Sequence, residues 1–154
     1  MSTEHFGKYQ LLEKIATGGM AEVYRARAFG MAGFEKILVI KRVLDHMAAD
    51  EEFVGMFIDE ARIAVQLQHV NIVQVFDLGQ VDGHYFMAME YVHGLDLSRL
   101  LTRSRNIGPF PIPLALFIAG EMLKGISATE KTNEGLKINS VFMMADSGAR
   151  GSAA

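Results

Sequence analysis

Residues 15–43 read IATGGMAEVYRARAFGMAGFEKILVIKRV. Two runs of alternating character, AEVYRARA and KILVIKRV, are set apart by glycine-bearing turns, and a short apolar run precedes the adjacent pair Gly18 and Gly19. A period of two is the mark of strands whose two faces differ. With YQLLEKIA ahead of the glycine pair, three short strands follow one another, which predicts an antiparallel meander. The glycine pair has two readings. It is a hairpin turn and nothing more, or it is a loop whose main-chain N–H groups approach phosphate oxygens because no Cβ intervenes.

Lys41 bears on that choice. The alternation in ILVIKRV puts Ile37, Val39, Lys41 and Val43 on one face. An ammonium among three β-branched side chains needs a partner or a route to solvent, and a lysine that snorkels from a strand end has the latter. From Asp50 the period lengthens. Phe53, Phe57, Ala61, Ala64 and Gln68 fall at helical spacing, with Asp50 as N-cap and Glu51 and Glu52 at the positive end of the helix. Glu60 lies on or beside that stripe, so it is a partner for a buried cation or a solvated residue at the stripe's edge.

Further on, NIVQVFDLG (71–79) and HYFMAMEYV (84–92) read as two more strands joined through the turn residues Asp82 and Gly83. LDLSRLLTRSR (95–105) reads as a helix, and after the breaker GPFPIP (108–113) residues 114–131 form a second helical candidate with an apolar face. The last 23 residues, from Thr132 to Ala154, lose periodicity and end in small residues, which predicts an irregular tail. No internal repeat is present.

Composition narrows the function classes. Half of the 154 residues are hydrophobic, enough for one domain with a core. The net charge is −3 and the cations are dispersed, which argues against nucleic acid or an anionic membrane as partner. With no cysteine there is no disulfide, thiolate metal site or Cys nucleophile. The N-terminus is too polar for a signal peptide, and the longest uncharged stretch, 106–120, is shorter than the ~20 residues that span a bilayer. A cytoplasmic protein is expected.

The order glycine turn, strand lysine, helix glutamate resembles the eukaryotic-type (bacterial Hanks-type) serine/threonine protein kinases. The resemblance rests on Lys41 in LVIK, Glu60 in FIDEARIAVQLQHVNIV, the His69–Val73 stretch and the run MEYVHGLDL (89–97). It implies an α+β fold: a kinase-like N-lobe of five antiparallel strands and one inserted helix, then a partial helical C-lobe. The divisions would be a tail at 1–8, the N-lobe at 9–90, a hinge at 91–94, the partial C-lobe at 95–131 and the irregular tail at 132–154. By that resemblance ATP is the cofactor, Lys41 holds its α- and β-phosphates, and Glu60 positions the lysine. The lid would comprise Ile15, Ala16, Thr17, Gly18, Gly19, Met20, Ala21 and Val23, with Ile15 and Val23 over the adenine and Val39 in the position the family usually gives to alanine. Met89 would be the gatekeeper, Glu90 and Val92 would offer backbone hydrogen bonds to adenine, and Asp96 would contact the ribose. Against G-x-G-x-x-G-x-V, Ala16 and Ala21 replace the outer glycines and Gly18 keeps the central one, which predicts weakened nucleotide contact.

The family's catalytic loop, H-R-D-x-x-x-x-N, has no counterpart: the histidines are His5, His46, His69, His84 and His93. Asp146 in ADSG resembles the metal-binding D-F-G only superficially, so no metal ligand is assigned. GLKINSV (135–141) stands where the strand entering the catalytic loop is expected. A positioned base typically contributes ~10²- to 10⁴-fold, so the chain is expected to be inactive alone, as a truncated or frame-shifted kinase. The rival expectations are a non-catalytic nucleotide-binding or interaction module and a decayed fragment. The apolar face beginning at Leu114 and ending at Ile126 is the expected surface for a protein partner or self-association.

Overall fold

The computed structural model describes residues 4–130. Its elements are β1 (Glu4–Phe6), β2 (Tyr9–Thr17), β3 (Ala21–Phe29), β4 (Glu35–Val43), α1 (Asp45–Ala48), α2 (Glu51–Gln66), β5 (Val75–Val81), β6 (His84–Glu90), α3 (Leu97–Arg105) and α4 (Ile112–Glu130), with a 3₁₀ turn at Met31–Gly33. The expected α+β architecture is present. The sheet has six strands in the order β1-β2-β3-β4-β6-β5, all neighbours antiparallel. The added strand, β1, falls in what reads from the sequence as a tail.

The chain divides into two compact units. Among the described residues, 4–66 with Gln74–Tyr91 form the sheet unit, and Leu67–Val73 with 92–130 form the helical unit. The expectations for 132–154, GLKINSV and Asp146 lie outside the described residues.

Within the sheet unit, alternation sorts side chains to two faces. Tyr24, Ala26, Leu38, Ile40, Phe86 and Ala88 pack with Phe6, Tyr9 and Leu11 into one core cluster, and the Phe86 ring meets Phe6 and Tyr9 edge-on at 5.3 and 5.5 Å. The sheet curls so that its two edges meet around this core. Tyr9 Oη donates to Asp77 Oδ2 at 2.7 Å and Lys8 pairs with the same carboxylate at 2.8 Å, joining the β1–β2 edge to β5. Burial, and after it the Asp77 carboxylate, hold the Tyr9 phenol above its ordinary pKa. Gly7 turns between β1 and β2 at φ +56°, where a Cβ would stand 2.9 Å from Val81 Cγ2, so both conformation and space require glycine.

The other face carries Val39 and Val43 of β4. Helix α2 packs against β5 with Phe53, Val54, Phe57 and Ala61 buried. Asp50 Oδ1 accepts from Phe53 N–H at 3.1 Å, so it is the N-cap expected from the sequence. Residues Asp82 and Gly83, both at positive φ, make the tight turn between β5 and β6.

In the helical unit, Asp96 caps α3 by accepting from Arg99 N–H at 2.8 Å. Asn71, read from the sequence as the start of a strand, lies before β5 and is fully buried; its Nδ2 donates to Glu121 Oε2 of α4 at 2.8 Å. Helix α4 is long and apolar enough to cross a membrane by length and composition alone. Ile112, Leu116 and Leu123 on it are 74%, 67% and 64% exposed.

Candidate functional site

Strand register places the sequence-derived site residues in two transverse rows on one face of the sheet. Val23 pairs with Lys41, and Lys41 with Met87; Arg25 pairs with Val39, and Val39 with Met89. Ala16 pairs with Val23, which sets the end of β2 beside the first row. Val39 and Met89 are buried. The alternation in KILVIKRV thus delivers Lys41 to the face opposite the core cluster, as its sequence predicts.

Lys41 meets Glu60 from α2. Its Nζ lies 3.9 Å from Glu60 Oε1 and 5.7 Å from the centre of the Phe57 ring, one helical turn before the glutamate. The lysine side chain is only 18% exposed, so the snorkelling alternative gives way to a paired ammonium. At 3.9 Å the pair is an ion pair beyond hydrogen-bonding distance. An ammonium has three N–H donors, so one that faces a carboxylate at 3.9 Å can also serve a second anion.

The glycine loop connects β2 and β3. Gly18 N–H donates to Ala21 O at 2.9 Å, and Leu44 N–H donates to Met20 O at 3.1 Å, tying the loop's base to the end of β4. A Cβ at Gly18 would meet only Ala21 O at 3.6 Å, and one at Gly19 would meet nothing within 4 Å. Neither glycine has positive φ. Packing and backbone conformation therefore do not require glycine at either position, in contrast to Gly7. Ile15, Ala16 and Thr17 are exposed along the same edge, as is Met20, while Ala21 is buried.

Two of the expected adenine-side residues belong to the sheet unit: Met89 on β6, and Glu90, whose N–H donates to Gln74 O at 2.9 Å. Glu90 Oε2 in turn accepts from Gln74 N–H at 3.4 Å. Val92 and Asp96 belong to the helical unit, where Asp96 already serves as N-cap.

The sequence reading missed a second cluster, on the core face of the same strands. Arg42, directly after Lys41, bonds Glu4, Glu22 and Tyr24 together, and Lys14 joins it through Glu22. Hydrogen bonds, that from Lys14 foremost, pull the Glu22 carboxyl down to a pKa of about 2. The signal lay in EVYRA and IKRV, where charged residues alternate with apolar ones on a strand. Their partners come from four strands, so no local pattern revealed them. Among the described residues no group of three or more His, Asp or Glu side chains could hold a metal ion.

Comparison with known proteins agrees with the fold. The protein kinase domain family matches residues 9–133. The tyrosine-protein kinase MasK of Myxococcus xanthus is 45% identical over 133 residues, covering 84% of this chain and 20% of the relative. The serine/threonine-protein kinase PrkC of Bacillus subtilis is 37% identical over 121 residues, covering 79% and 18%. A solved double mutant of the Mycobacterium tuberculosis PknI kinase domain superposes with a TM-score of 0.72 at 29% identity, covering 88% of this chain and 53% of that one. The chain thus spans about a fifth of the length of these curated relatives and about half of the solved kinase domain. It belongs to the protein kinase domain family and covers the N-terminal part of that domain.

Proposed function

We propose that the sheet unit is the ATP-binding portion of a serine/threonine protein kinase. The observation that carries the reading is the half-buried Lys41–Glu60 pair on the face that also holds Val23, Val39 and Met89. Lys41 would bind the α- and β-phosphates while Glu60 keeps its ammonium in place. Gly18 and Gly19, which the protein's own packing does not require, would let the lid's N–H groups approach the phosphates. Ile15 and Val23 would cover the adenine, Met89 would stand as gatekeeper, Glu90 and Val92 would present backbone groups to the base, and Asp96 would contact the ribose. The family uses magnesium to neutralise charge on the phosphates. No side chain here is assigned to it.

In the family the bond from the γ-phosphorus to the bridging oxygen breaks as one to a protein hydroxyl forms, and the hydroxyl proton passes to a base. The 154 residues contain neither H-R-D nor D-F-G, and we propose that acting alone they hold nucleotide without transferring phosphate. The second reading, a non-catalytic nucleotide-binding or interaction module, is favoured by the exposed apolar face of α4. That face would take a protein partner or a second copy. Glu121, which accepts from Asn71, and Lys124 lie within the apolar segment of α4, and they support packing against protein in the cytoplasm over insertion in a bilayer. Incubation of the full chain with magnesium and γ-labelled ATP tests inactivity. No transfer to a generic protein substrate above background is expected, and transfer that disappears in Lys41→Met would overturn it.

A further inference from the structure

Arg42 sits in the same strand as Lys41 but points to the opposite face of the sheet. Its Nη1 donates to Glu4 Oε1 at 3.0 Å; its Nη2 donates to Glu22 Oε2 at 3.1 Å and to Tyr24 Oη at 2.9 Å. Tyr24 Oη donates to the same Glu22 oxygen at 2.7 Å, and Lys14 Nζ donates to the other. The guanidinium lies 4.9 Å from the Tyr24 ring centre and 5.7 Å from that of Phe6, so the network closes one end of the core cluster. The Arg42 and Glu22 side chains are 17% and 14% exposed, which sets them apart from ordinary surface ion pairs.

Its place in the register gives it a consequence. Glu22 pairs across the sheet with Arg42 on one side and with Thr17 on the other, and Val23 pairs with Lys41 and Ala16. Val23 is thus held between two anchored neighbours, Glu22 and Tyr24, and Lys41 immediately precedes the anchor Arg42. The strand that leaves the glycine loop and the strand that carries the phosphate lysine are clamped together one residue away from both.

We infer that Arg42, Glu22 and Tyr24 are positioning residues for the glycine loop: from the opposite face of the sheet they fix the loop's root against Lys41, and so set affinity for the nucleotide's phosphates rather than for its base. The inference deepens the ATP-binding reading and rests on it for its ligand. A charge-assisted network with every member bonded is stiff, and removing one member leaves the others' charges without their partner.

The test uses the full chain with Glu22→Gln, which keeps the shape and one acceptor oxygen but removes the charge and the second acceptor, and with Arg42→Met. Binding of a non-hydrolysable ATP analogue and of adenosine is measured by calorimetry, and amide hydrogen exchange is measured without nucleotide. The expected result is an analogue affinity lower by about tenfold, the order of one charge-assisted hydrogen bond, with adenosine affinity unchanged. Exchange should quicken in residues 16–23 and stay as it was in β5 and β6. Equal weakening of both ligands, or unaltered binding of both by a variant with unaltered exchange, overturns the proposal. Should the unmodified chain bind neither ligand, the ATP reading falls, and exchange alone decides the clamp: unquickened exchange in 16–23 sinks it. Arg42→Met removes three bonds and stands to unfold the chain; Glu22→Gln keeps the proposal falsifiable in that event.

Discussion

The sheet unit and the helical unit both carry many apolar residues yet differ in how they use them. Strands β2, β3, β4 and β6 put their large apolar residues into one cluster in which Ile40, Ala26 and Ala88 have no exposure at all. Helix α4 leaves Ile112, Leu116 and Leu123 mostly exposed, and α3 buries no residue. Since burial of apolar surface supplies the main driving force of folding, the sheet unit is the better-supported half. It also holds the residues whose spacing matters chemically, Lys41 and Glu60 among them. A rigid half can hold a ligand by preorganised contacts; a half with open apolar surface is suited to being covered.

Several substitutions would break or sharpen that contrast. Phe86 lies at the centre of the sheet unit's core, so Phe86→Ala should cost about 3–5 kcal/mol in chemical denaturation; a cost below that of a surface change would deny the sheet unit its special standing. Acid gives a second probe. Glu22 is held at about 2 against an ordinary 4.5. A depressed carboxyl contributes stability fully present above the unfolded value, so that contribution should fade as pH drops from about 4.5 through about 2. In Glu22→Gln this part of the acid slope should vanish; an identical acid titration of stability would contradict the network.

Both units contain a helix begun by an aspartate, which allows a matched pair. Asp50→Ala and Asp96→Ala each remove one capping bond, to Phe53 N–H and Arg99 N–H, and each should cost about 1 kcal/mol of local helix stability. Amide exchange in α2 and α3 reads them separately. The smallest effect is expected at Leu116, where replacement by serine should change stability by less than about 0.5 kcal/mol while reducing any self-association seen by gel filtration. A large loss of stability there would mean that α4 is packed after all.

Much of this was written in local pattern. Phe53, Phe57 and Ala61 repeat at helical spacing because one side of α2 packs on the sheet, and Asp50 announces the start of that helix. Strand alternation and helix phase mark Lys41 and Glu60 as candidates in the sequence, and the resemblance to the kinases is what implies that they pair. What escaped notice depends on distant partners. Strand β1 is three residues long and exists by pairing with β2; so short a stretch carries no readable period. Asn71 looks like the first residue of a strand, yet its side-chain Nδ2 donates to Glu121, fifty positions on. The same holds for Arg42, whose three partners lie on β1 and β3.

The central claim is that the sheet unit binds ATP through Lys41. Calorimetric titration of the full chain and of Lys41→Met with a non-hydrolysable ATP analogue and with adenosine tests it most directly. The account predicts analogue affinity lower by at least about tenfold in the variant, the order of one charged contact, with adenosine affinity unchanged. Equal analogue affinity in the two proteins would contradict it.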